Sequence, residues 1–130
     1  MPAYDGQSFQ PPAPVTLITL CDPQSGKTVA DVPLLIDSGA DVTLLPKVSI
    51  DKLGIQIDPK LQYELAGFDG QRSFAAAVDL DLTFAATVIR GRYLVIDDAV
   101  GVLGRDVLNF FVLLLNGPAG EWSSTRPRSS

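Results

Sequence analysis

Three consecutive residues, Asp37-Ser38-Gly39, carry the chemistry this sequence offers. An apolar run from Val32 to Ile36 stops abruptly at Asp37, and a second apolar run resumes at Val42. A carboxylate at the mouth of a buried strand is costly unless it is hydrogen-bonded, paired or neutralised. A small hydroxyl residue followed by glycine lets the backbone turn tightly beside that carboxylate, holding it still and aiming it outward. The chain has no histidine. That excludes Ser-His-Asp and Cys-His chemistry as usually built, and most zinc sites. Acid–base work falls to carboxylates.

Asp-Ser-Gly taken alone is equally the composition of a hairpin turn. The flanks weigh against a solvated turn, because both are nearly continuous apolar runs of the kind buried strands show. The elements needed to position Asp37 can be placed around it. Val15–Leu20 is a β-branched, apolar strand, and Asp22–Lys27 is a turn cluster. Thr28–Ile36 returns as the strand that delivers Asp37. Thr43–Leu45 is a short strand stopped by Pro46, and Val48–Leu53 before Gly54 suits one or two helical turns. Leu61–Ala66 and Arg72–Ala77 flank Gly67-Phe68-Asp69-Gly70 as a hairpin with a glycine-rich tip.

Further along, Val78–Phe84 alternates as a half-exposed strand with Asp79 and Asp81 on its polar face, which reads as two solvated acids and not a metal site. Arg92–Ile96 is a strand, Arg105–Asn109 a short helix and Val112–Leu115 a last buried strand. Asn116–Gly120 is a turn, and Glu121-Trp122 starts a closing strand. At least seven short strands with little helix make the fold all-β, a closed barrel or a sandwich. The expected division is a flexible proline-rich arm over 1–14, one folded domain over 15–122 and a disordered polar tail over 123–130.

Composition narrows the partners. A chain of 130 residues, 46% hydrophobic and 19% charged, folds as one globular domain. A net charge of −5 without a basic cluster argues against nucleic acid and against an anionic membrane. The single Cys21 cannot form an internal disulfide, which suits the cytoplasm or another reducing compartment. Met1–Gly6 has neither a basic start nor an apolar core, so no signal peptide is visible. The apolar run Phe110–Leu115 is far short of a membrane span. No cofactor and no metal are expected.

Leu34-Leu35-Ile36-Asp37-Ser38-Gly39-Ala40-Asp41-Val42-Thr43-Leu44-Leu45 resembles the active-site segment of retropepsin-type aspartic proteases, apolar-apolar-Asp-(Thr/Ser)-Gly-Ala. Downstream, Gly101-Val102-Leu103-Gly104-Arg105-Asp106 resembles the apolar-apolar-Gly-Arg-(Asn/Asp) element of the same family. Either segment alone is short. The two in this order and at this separation are specific, and the resemblance spans roughly residues 15–122.

The resemblance implies a closed barrel of the retropepsin type and an aspartic endopeptidase. Such an enzyme hydrolyses peptides between two carboxyl groups that share one proton, since neighbouring like charges cannot both ionise. Only one Asp-Ser-Gly occurs, so the second carboxylate must come from a second copy about a two-fold axis. Asp37 is then the catalytic residue of a homodimer. Ser38, Gly39 and Ala40 support the loop, with Ser38 bonding across the dyad. Asp41 contacts substrate backbone and pairs with Arg105.

Substrate is implied to be an extended peptide held between the dyad and a flap at Gly67, Phe68, Asp69 and Gly70, with Val42 lining an apolar subsite. Two rival readings stand beside this one. The first is a catalytically silent retropepsin fold kept for dimerisation or peptide binding. The second is an unrelated β-barrel module in which Asp-Ser-Gly is only a turn.

Overall fold

The strands close on themselves. The computed structural model describes residues 2–58, 60, 62–66 and 72–125. Its strands are β1 (Val15–Cys21), β2 (Thr28–Ile36), β3 (Leu44–Pro46), β4 (Gln62–Ala66), β5 (Arg72–Phe84), β6 (Thr87–Ile96), β7 (Gly101–Leu103), β8 (Val112–Asn116) and β9 (Glu121–Thr125). Two short helices, α1 (Lys47–Leu53) and α2 (Arg105–Leu108), interrupt them. The order β1-β2-β7-β3-β6-β5 is sealed by pairing of β1 with β5, which makes a six-stranded barrel with β4 outside on β5. β8 and β9 form a separate two-stranded sheet. The fold is a single small all-β domain.

Side-chain alternation builds the core. Ile18 and Leu20 of β1, Val32 and Leu34 of β2, and Leu80, Leu82 and Phe84 of β5 point into the barrel, where each is almost fully buried. Between them on β5, Asp79 and Asp81 face solvent and meet Arg92 and Arg90 of β6 at 2.8 Å each. The period of two thus sorts a charged outer face from an apolar inner one. α1 ends where expected, because Gly54 takes the left-handed conformation (φ 73°) and its N–H bonds Asp51. Ile50 and Leu53 of this helix close the barrel.

Several segments differ from expectation. Arg72–Phe84 is one continuous strand of 13 residues, since nothing between Ala77 and Val78 breaks an extended chain. The polar stretch from Ser123, expected as a disordered tail, continues β9 to Thr125 through its pairing with β8. The arm over 2–14, expected to be flexible, is tied to β9: Tyr4 donates to the Gly120 carbonyl at 2.7 Å and Trp122 to the Pro2 carbonyl at 3.0 Å.

The last apolar strand is the largest departure. β8 was expected to be buried, yet Val112 and Leu114 are each 57% exposed and Leu115 is 54% exposed. Only the inner face of the hairpin joins the core. There Phe111 meets Phe84 edge-on at 4.8 Å, and Trp122 stacks on the same ring at 6.0 Å. No helix among the described residues is long and apolar enough to cross a membrane.

Candidate active site

The two segments that resemble protease motifs lie side by side, although more than sixty residues separate them. β7 inserts between β2 and β3, parallel to β2 (Leu34↔Gly101, Ile36↔Leu103) and antiparallel to β3 (Leu44↔Val102). This insertion needs glycine twice. A Cβ at Gly101 would overlap the Leu44 carbonyl oxygen, and one at Gly104 would lie 2.5 Å from the Val42 carbonyl oxygen. Those contacts are with backbone, which cannot swing aside.

The loop leaving β2 is held along its whole length. Asp37 N–H donates to the Leu103 carbonyl at 3.1 Å, and Ala40 N–H donates to the Asp37 carbonyl at 3.1 Å. The Asp37 carboxylate accepts from Gly39 N–H at 2.9 Å, so one of its oxygens is fixed by the turn it begins. Asp37 itself is half-buried at the surface end of a buried strand. Its carboxylate is therefore oriented by backbone and still open on one side.

Helix α2 grips this loop at both ends. Arg105 N–H donates to the Ala40 carbonyl at 2.9 Å, and its guanidinium Nη1 donates to the Ser38 carbonyl at 2.7 Å. Asp106 takes the far end, accepting from Thr43 N–H at 3.0 Å and from the Thr43 hydroxyl at 2.6 Å. The same hydroxyl accepts from Gly104 N–H at 3.0 Å. Thr43 is wholly buried, and every polar group it carries is satisfied.

The residues singled out in the sequence fall as follows. Asp37, Ser38, Gly39 and Ala40 form one rigid turn. Ser38 is exposed, and its hydroxyl has no partner among the described residues. Asp41 is exposed, and the expected Asp41–Arg105 ion pair is absent among the described residues. The reason is geometric: the Arg105 guanidinium is taken by the Ser38 carbonyl, and the carboxylate tie between the two motifs comes from Asp106. Val42 is half-buried and packs with Leu44 against a small second cluster of Ala75, Ala77 and Leu94. Gly67, Phe68, Asp69 and Gly70 lie outside the described residues. Thr43 was given no role in the sequence, where its one signal was a lone hydroxyl inside the apolar run Val42–Leu45, and Asp106 stood in the Gly-Arg-(Asn/Asp) element without a partner assigned to it.

Chemically, the arrangement offers a fixed carboxylate backed by an uncharged turn. Asp37 makes no salt bridge among the described residues, and these contain no cluster of three or more Cys, Asp or Glu side chains able to hold a metal ion. A single carboxylate so placed can orient and deprotonate water. It cannot also protonate a leaving group in the same step.

No protein-family model matches the sequence. No curated protein matches it either. Among solved structures, the chain is similar to the EIAV protease complexed with the inhibitor HBY-793. Identity is 24%, the TM-score is 0.57, and the match covers 75% of this chain and 86% of that one. The likeness places the barrel in the retropepsin-type fold.

Proposed function

We propose that this chain is one half of an aspartic endopeptidase, active as a homodimer in which Asp37 of each copy supplies one carboxyl group. The observation that carries the reading is the Asp37 turn, a carboxylate fixed by Gly39 N–H in a loop clamped at both ends by Arg105 and Asp106. A turn that served conformation alone has no need of that clamp.

The mechanism follows from bringing two such carboxyl groups together. Their mutual repulsion leaves one ionised and one protonated near neutral or mildly acidic pH. The ionised group takes a proton from a water held between them, and that water attacks the scissile carbonyl carbon. The protonated group hydrogen-bonds the carbonyl oxygen and stabilises the charge that develops there. Collapse of the tetrahedral species then protonates the departing nitrogen from the dyad. No covalent enzyme intermediate forms.

Ser38 is poised for the role of cross-dyad bond, since its hydroxyl is exposed and unpartnered within the described chain. Substrate lies as an extended strand across the two Asp37 loops. Asp41 is exposed at the end of that loop, free to meet substrate backbone, and Val42 with Leu44 offers an apolar surface to one substrate side chain. The hairpin of β4 and β5 is read as the lid.

Asp37→Asn tests this reading. Parent and variant are compared for cleavage of a denatured mixed-protein substrate between pH 4 and 7. The proposal requires cleavage by the parent and loss of at least about 1,000-fold in the variant, with unchanged circular dichroism. A variant that cleaves as fast as the parent removes Asp37 from the chemistry. Absence of cleavage by a dimeric parent turns the reading to a silent binding fold.

A further inference from the structure

We infer that the cavity between the N-terminal arm, β1 and β9 binds a neutral, largely apolar small molecule whose one hydrogen-bond acceptor is taken by the indole N–H of Trp122. The site lies apart from Asp37. None of the residues that line it belongs to the Asp37–Asp41 loop or to α2, so the inference stands whether or not the chain is a protease.

Four separate parts of the chain wall this cavity: residues 2–3 of the arm, the start of β1, the turn between β5 and β6, and β9. Backbone hydrogen bonds secure the arm, from Tyr4 N–H to the Gly120 carbonyl and from Trp122 N–H to the Pro2 carbonyl. The space is about 590 Å3, and small-molecule sites run from about 300 to 1,000 Å3.

The lining selects the ligand by polarity. None of the residues that line the cavity is charged, so an ion brought into it would lose its hydration with no opposite charge to meet it. Phe84 and Trp122, stacked with ring centroids 6.0 Å apart, both contribute to the wall, which suits a flat apolar body.

One polar group asks for a partner. Trp122 is 5% exposed, and its Nε1 is the one buried side-chain nitrogen or oxygen without a hydrogen-bond partner among the described residues. Buried donors are as a rule paired. An indole N–H only donates, so the missing group is an acceptor. The hydroxyls of Thr16, Ser123 and Ser124 line the same cavity and bond no protein group among the described residues, which gives a second polar edge to a ligand.

The indole nitrogen is covered, so binding includes a small shift of the lining. The turn between β5 and β6 is where such a shift costs least. Ala85 lines the cavity, and Ala85 and Ala86 both hold left-handed backbone, with φ 49° and 60°. Two-residue hairpin turns of this form favour asparagine and glycine, and alanine in them is strained. Water is the competing occupant. It needs about two to four polar partners, which an aromatic wall does not supply, and an apolar ligand that displaces it gains the burial.

Trp122 is the chain's one tryptophan, so its emission reports on this cavity. The probe is benzophenone, two flat rings and one carbonyl oxygen without charge. It should quench Trp122 saturably, with a Kd of about 100 μM or tighter. Under near-ultraviolet light its carbonyl inserts into adjacent C–H bonds. Mass spectrometry of the labelled parent should place the adducts within residues 2–3, 15–17, 84–85 and 122–124. Trp122→Phe keeps an aromatic ring and removes the donor. Equilibrium dialysis should show its affinity for benzophenone about five-fold weaker, with circular dichroism unchanged. Ser124→Phe fills the space from the wall and should abolish labelling there. Adducts confined to other segments, quenching that never saturates, or a Trp122→Phe affinity within about two-fold of the parent overturns the inference and leaves a cavity that holds water only.

Discussion

Thr43→Val removes one oxygen from the joint between the two motif segments and keeps the shape of the side chain. The hydroxyl it deletes donates to the Asp106 carboxylate at 2.6 Å and accepts from Gly104 N–H at 3.0 Å, at a position with no solvent exposure. Losing a hydrogen bond to a charged acceptor costs about 1.5–3 kcal/mol, and stranding a buried N–H costs about 1–3 more. Because Thr43 N–H still bonds Asp106, the carboxylate stays partly satisfied, and the net loss is about 2–4 kcal/mol. For a domain of this size that lowers the melting temperature by roughly 6–15 °C.

The assay is thermal and urea unfolding at one fixed protein concentration, since self-association would add to apparent stability. Asp106→Ala completes a double-mutant cycle, in which the two losses should fall short of additivity by at least about 1 kcal/mol. A Thr43→Val protein within about 0.5 kcal/mol of the parent would mean that Thr43 and Asp106 do not hold the motifs together.

Gly104→Ala places a Cβ 2.5 Å from the Val42 carbonyl oxygen, so it should cost more than about 3 kcal/mol or abolish soluble expression; a variant melting within a few degrees of the parent would refute the close approach. Acid should dissolve the charge ladder on the barrel. Hydrogen bonds from Arg90 and Arg92 hold the Asp81 and Asp79 carboxyls below the usual carboxylate range. A lowered folded-state pKa stabilises above the ordinary range, and that stabilisation is lost as pH falls through the lowered values. Asp79→Asn/Asp81→Asn should therefore melt below the parent at pH 7, with the gap closing as pH falls below the ordinary carboxylate range. A gap that persists in acid would contradict the assignment.

Much of the fold was legible because burial follows a period of two. Ile18, Leu20, Val32 and Leu34 alternate with their exposed or half-exposed neighbours as the strand pattern required, and Pro46 and Gly54 bracket α1 as start and stop. The hairpin of β8 and β9 was misjudged for a physical reason. Hydrophobicity reports that Val112 and Leu114 are apolar, not whether the fold covers them, and a buried strand and an exposed one can share one composition.

The candidate site divides in the same way. Asp37 and its turn are local, so the order Asp-Ser-Gly with apolar flanks exposed them directly. The clamp is not local: Thr43 and Asp106 are 63 residues apart, and although the two motif segments were paired by resemblance, nothing in the sequence showed which side chains join them. The Asp41–Arg105 pair came from resemblance and gave way to the Arg105–Ser38 bond, which a sequence cannot display because its acceptor is a backbone carbonyl.

The central claim is that two copies of Asp37 make one site, and mixing tests it most directly. Inactive Asp37→Asn protein is added to an equal amount of parent, subunits are allowed to exchange, and the rate per parent chain is followed. Shared sites leave parent chains paired with parent partners only half the time, so that rate should fall to about one half, and further with each excess of variant. A rate per parent chain that stays constant would mean that one copy works alone, and the two-copy site would be wrong.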